Sequence, residues 1–119
     1  ADMRDLIAHR GDDARAAQAV ELFCSQARKW IGALAAVLGG IDTLVFAGGI
    51  GEHAPQVRAE ICKGLEFLGI RVEPARNQAG ETVISSEQGA VLVRVMRTDE
   101  ELMIVRHVRR VLELGKGTA

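Results

Sequence analysis

The sequence predicts an α/β protein in which a mixed β-sheet is flanked by helices, and three features predict it. Apolar residues recur three and four apart from about Ala14 to Leu38, the spacing of one helical face. A short apolar run rich in β-formers follows, and a glycine turn then leads into a second amphipathic stretch. Helix, buried strand, turn and helix in succession indicate helices layered on a sheet.

The first of these helices carries Val20, Phe23, Ala27, Ile31, Leu34 and Leu38 on its core face and stops at Gly39-Gly40, where the first glycine can turn left-handed. The run Asp42-Thr43-Leu44-Val45-Phe46-Ala47 lacks the alternation of a half-wet strand, so it reads as a strand buried on both sides. Gly48-Gly49-Ile50-Gly51 form the turn, Glu52-His53-Ala54-Pro55 follow, and Val57, Ile61, Leu65 and Leu68 mark the next helix. Beyond Gly69 the period shortens, predicting strands at residues 70–72, 82–85 and 91–95. Pro74, Asn77 and Gly80 make 73–81 a loop. A last helix is predicted from Thr98 to about Leu114, with Leu102, Val105, Val108 and Leu112 on one stripe. No internal repeat is present.

With 119 residues, 48% hydrophobic and 26% charged, the chain has the size and composition of one ordinary globular domain. Its net charge is −1 and its basic residues are not interleaved with aromatics, which argues against a nucleic-acid partner. Arg106, His107, Arg109 and Arg110 fall in the final turns of the predicted helix, where cations complement the helix dipole. Cys24 and Cys62 lie far apart among apolar residues, and read as buried free thiols suited to a reducing cytoplasm. No apolar run reaches membrane-spanning length, and the opening residues lack a basic segment followed by a hydrophobic one, so a soluble, cytoplasmic protein is expected. His9 and His107 read as surface residues, Trp30 and Phe67 as core.

Three segments can carry chemistry. The turn at 48–53 joins a buried strand to a helix, where glycines allow positive φ and close ligand approach and helix-terminal amides favour anions. The same glycines are also explained by two elements packing closely. Thr98 and Glu101 have capping-box spacing, which leaves Glu100 either as a dipole partner or as a ligand for Mg2+. Asp2-Met3-Arg4-Asp5, taken alone, is a charged and frayed end.

Five phrases then stand in order along the chain: Asp-Met-Arg-Asp-Leu at 2–6, Ile-Gly-Ala-Leu-Ala-Ala at 31–36, Val-Phe-Ala-Gly-Gly-Ile-Gly-Glu at 45–52, Gly-Leu-Glu-Phe-Leu-Gly-Ile at 64–70 and Arg-Thr-Asp-Glu-Glu-Leu-Met-Ile at 97–104. Together they resemble the C-terminal third of the acetate kinase family, within the superfamily of sugar kinases, heat-shock chaperone ATPases and actin. The resemblance implies the C-terminal part of an actin-like, ribonuclease H-like ATPase domain spanning residues 1–119, with the N-terminal domain absent. It implies ATP and ADP as ligands, Mg2+ as the metal, acetate as acceptor and a homodimer formed through this domain. Propionate and butyrate kinases share similar phrases, and a non-catalytic nucleotide-binding or dimerisation module is the competing expectation.

By the same resemblance Asp2, Met3 and Arg4 lie beside the adenosine. Gly49, Ile50, Gly51, Glu52 and His53 border the nucleotide with Gly48 in support, and Glu100 helps hold Mg2+. His53 and Asp99 stand where the family usually has Asn: an imidazole still donates a hydrogen bond but is bulkier and can carry charge, and Asp99 adds a negative charge beside Glu100 that strengthens local cation attraction. The family's catalytic and substrate-pocket residues belong to segments outside this sequence, so no catalytic residue is expected in the chain and no turnover from it alone.

Overall fold

The long helix predicted from the apolar spacing is the backbone of the architecture: α2 (Ala14–Leu38) in a computed structural model that describes residues 3–97 and 102–106. Asp13 caps its start by accepting a hydrogen bond from the Arg15 amide at 2.9 Å. Gly39 ends it in the left-handed region, at φ 79°, with its amide returned to the Ala35 carbonyl. Val20, Cys24, Ile31 and Ala35 form the buried stripe.

Ahead of it, α1 (Met3–His9) takes the place of the frayed end expected from these residues alone. Met3, Leu6 and Ile7 share one helical face, and that face packs on the core cluster that includes Val20 and Cys24. His9 is exposed, as expected, and its Nδ1 donates to the Asp5 carbonyl at 2.8 Å.

A three-stranded sheet in the order β2-β1-β3 lies against these helices. β1 (Thr43–Ala47) is central, and Leu44, Val45, Phe46 and Ala47 are all buried. It runs parallel to β2 (Leu92–Met96), with Phe46 opposite Val95, and antiparallel to β3 (Leu102–Arg106), with Phe46 opposite Met103. The mixed sheet flanked by helices is therefore observed. β2 alternates exposed and buried residues, as a strand with one wet face does.

The structure corrects the helix predicted from 98 to 114: over residues 102–106 the backbone is β3, and the rest of that helix lies outside the described residues. Leu102 and Val105 fit a helical step, but Met103 and Val105 are half-buried while Ile104 is exposed, which is the alternation of a strand. The free side of β1 supplies the hydrogen-bonding partner.

Three further predictions change. Residues 70–72 and 82–85 pair only through single bridges, Val72 with Ser85 and Val83 with Arg94. The loop at 73–81 is helix α5 (Pro74–Ala79), with Pro at its start, Glu73 capping the Arg76 amide at 2.9 Å and Gly80 at φ 68° just past its end. Trp30 and Phe67 are not core: they are 49% and 78% exposed. Phe67 sits in a short 3₁₀ turn (Glu66–Leu68) where the neighbouring Leu68 takes the inward position.

Candidate functional site

Strand β1 passes into helix α3 (Gly48–His53) with no residue between them, and after Ala54 the chain continues as α4 (Pro55–Cys62). The glycine turn expected at 48–53 is thus a single helical segment. Its glycines divide their roles. Gly48 turns the chain at φ 83°, a conformation that strains any residue with a Cβ. Gly51 faces back on the strand: a Cβ there would lie 3.1 Å from the carbonyl carbon of Phe46. At Gly51 the packing explanation of the glycine is the one observed, since Phe46 fills the space a side chain would need.

Glu52 is partly buried, and its Oε2 accepts from His53 Nε2 at 2.9 Å while the imidazole stays exposed. Behind them lies Arg58, a residue the sequence reading passed over. It is fully buried on α4, and its guanidinium donates to the carbonyls of Gly51 at 2.8 Å and Glu52 at 3.1 Å. Burial pulls its pKa below the ordinary guanidinium value. The signal was present in the sequence: Ala54, Val57, Arg58, Ile61, Cys62 and Leu65 follow the steps of one core face, and Arg58 is the charge within it.

The strand pairing brings a further predicted segment to the same place. The chain leaves β2 at Met96 and enters β3 at Leu102, and both are register partners of Ala47. The connection carrying Glu100 therefore starts and finishes beside the strand end from which Gly48 springs. Asp2, Asp99 and Glu100 themselves lie outside the described residues. Met3 is half-buried and Arg4 exposed on α1, which packs against α2, whereas α3 packs against α4 and the strands. Among the described residues no group of three or more His, Cys, Asp or Glu is placed to hold a metal ion.

A groove of about 590 Å³ opens between α2 and the end of β1, lined by Phe23, Ala27, Trp30, Phe46, Gly51, Arg58 and Met103 among others. Its exposed Trp30 belongs to an outward stripe on α2 with Leu22 and Val37. On the neighbouring face Glu60 ties α4 to the preceding segments: it pairs with Arg10, its Oε2 accepts from Cys24 Sγ at 3.5 Å, and its backbone carbonyl accepts from Arg28 at 2.6 Å. Both cysteines are free and buried, as expected. Burial, with the Glu60 carboxylate, pushes the Cys24 thiol up to about 11. Burial pushes Cys62 up to about 12. No described helix is long and apolar enough to cross a membrane.

Comparison with known proteins adds an independent line. A model of the acetokinase family matches residues 1–106. An acetate kinase from Rhizobium meliloti is 50% identical over 106 residues, covering 89% of this chain and 26% of that protein. A propionate kinase from Citrobacter rodentium is 47% identical over 97 residues, covering 82% of this chain and 24% of that protein. The crystal structure of Porphyromonas gingivalis acetate kinase matches with a TM-score of 0.76 and 34% identity, over 82% of this chain and 26% of that one. The chain thus spans about a quarter of the length of these relatives.

Proposed function

This chain belongs to the acetokinase family, and on that premise we propose that residues 1–119 are the C-terminal, nucleotide-bordering part of an ATP-dependent acetate kinase. The parent enzyme transfers the γ-phosphoryl group of ATP to acetate, reversibly, giving acetyl phosphate and ADP. The observation that carries the proposal is the family match along residues 1–106. The meeting of the 48–53 segment and the Glu100 connection at one end of β1 supports it, because ligands of open α/β sheets bind beyond the carboxyl ends of strands.

In this reading Asp2, Met3 and Arg4 and the segment Gly48, Gly49, Ile50, Gly51, Glu52 and His53 border the nucleotide. Glu100 contributes one carboxylate toward Mg2+. Mg2+ is ordinarily held by one or two carboxylates together with substrate phosphates, so a single protein ligand suits it. When bound, the ion neutralises charge developing on the phosphoryl oxygens. The exposed stripe of Leu22, Trp30 and Val37 on α2 supports a homodimer formed through this part of the protein. A cytoplasmic setting, free of membrane and nucleic acid, belongs to the same reading, and the balanced charge and the free thiols support it.

A propionate-preferring parent is the second reading, favoured by the 47% identity to the Citrobacter rodentium propionate kinase. The parent enzyme, supplied with ATP, Mg2+ and each of acetate, propionate and butyrate, is expected to give the highest kcat/KM with acetate. The 119-residue chain alone is expected to give no acetyl phosphate, because in-line transfer needs groups from both domains. A parent that phosphorylates none of the three acids refutes the proposal, and one that prefers propionate replaces it with the second reading.

A further inference from the structure

Arg58 is 1% exposed, and among the described residues no carboxylate pairs with it. Its guanidinium is satisfied by carbonyl oxygens instead. Nε donates to Asn77 Oδ1 at 2.8 Å, Nη2 to the Asn77 backbone carbonyl at 2.8 Å, and Nη1 to the carbonyls of Gly51 and Glu52 at 2.8 and 3.1 Å. Asn77, itself 5% exposed, donates from Nδ2 to the Pro55 carbonyl at 2.8 Å. One buried arginine and one buried asparagine thereby join the last turn of α3, the first residue of α4 and the body of α5.

A cation in this position has a physical reason. The final carbonyls of a helix lack intrahelical donors and carry the negative end of its dipole, so a cation beside them is stabilised. Helix α3 is six residues long and contains three glycines, too short and too flexible to persist by propensity. A planar guanidinium reaches two adjacent carbonyls on one side and Asn77 on the other, whereas a lysine ammonium cannot reproduce that fork.

We infer that Arg58, itself oriented by Asn77, is a positioning residue that fixes the Gly48–His53 wall for nucleotide binding; the inference rests on the nucleotide reading of that segment. It touches no reacting atom and acts only through the carbonyls it holds. The test uses the full-length parent carrying Arg58→Lys or Asn77→Ala, in the numbering of this chain. Amide hydrogen exchange over residues 49–54 is measured in the ligand-free proteins, ADP affinity by calorimetry, and KM separately for ATP and acetate.

Losing a charged hydrogen bond in the anchor is expected to speed exchange over 49–54 by about tenfold and to raise KM for ATP by about the same factor. KM for acetate should move by less than about twofold, the difference that separates positioning of this wall from general loss of structure. If Arg58→Lys does not fold, Asn77→Ala leaves the arginine in place while removing the acceptor of Nε and the tie to Pro55. Unchanged exchange, or faster exchange with ADP bound as tightly as before, overturns the inference. So does an equal rise in both KM values. An unsubstituted parent that fails to bind ADP removes the nucleotide reading itself, an outcome distinct from variants that bind ADP normally.

Discussion

Two glycine-to-alanine substitutions in helices should move stability in opposite directions, and the contrast measures how tightly α3 is seated on β1. At Gly32, inside α2, an added Cβ meets nothing within 4 Å. Gly32→Ala therefore gains helix propensity and loses unfolded-state freedom, about 0.5–1 kcal/mol of added stability. At Gly51 the same gain is offered, but the new Cβ would stand 3.1 Å from the Phe46 carbonyl carbon and 3.5 Å from its Cα. Phe46 lies in a central strand paired on both sides, so the strand cannot withdraw by the few tenths of an ångström required. Overpacking of this kind costs about 1–3 kcal/mol, which exceeds the propensity gain and leaves Gly51→Ala destabilised by about 1–2 kcal/mol. With a urea m-value of about 1–3 kcal/mol/M, the midpoint of far-UV circular dichroism should fall by about 0.3–2 M for Gly51→Ala and rise by about 0.2–1 M for Gly32→Ala. A Gly51→Ala midpoint at or above that of the unsubstituted chain refutes the close seating of α3.

Other perturbations follow from the same structure. Leu44→Ala, at a position 0% exposed in the central strand, should cost about 2–5 kcal/mol in urea unfolding. Phe67→Ala, at 78% exposure, should stay within about 0.5 kcal/mol. The thiols of Cys24 and Cys62, raised to about 11 and about 12 in the folded chain, should resist iodoacetamide at pH 8 and react once the chain is unfolded. Their linkage to stability has a definite sign: above about pH 9 the unfolded chain releases thiol protons that the folded chain keeps, so stability should fall from there to the folded values. Rapid labelling of the native protein, or stability that rises across that window, contradicts the burial of these groups.

The sequence made the long elements legible because their signals are local and repeated. α2 has seven turns over which its apolar steps and its terminating glycine agree, and its observed bounds match the predicted ones. β1 was equally visible as a run with no polar alternation. What escaped depends on tertiary partners. Gly-Gly-Ile-Gly-Glu-His is half glycine, which disfavours a helix, and it is helical with its last carbonyls held by a side chain several residues downstream. Residues 102–106 satisfy both a helical and an alternating pattern, and the available edge of β1 makes them a strand. Of the predicted site, the 48–53 segment is found at the end of the central strand, and the Glu100 connection is tied to it by register alone. Arg58 was missed because a charged residue was not counted toward an apolar face.

The direct junction between β1 and α3 carries a mechanical consequence. A flap needs a few unpaired residues that can absorb changes in φ and ψ, and here the ladder ends at Ala47 and the helix begins at Gly48. Behind that junction, Arg58 bolts the other end of the segment to α4 and α5. This part of the protein is consequently an abutment rather than a gate: whatever meets residues 48–53 meets a surface that stays still.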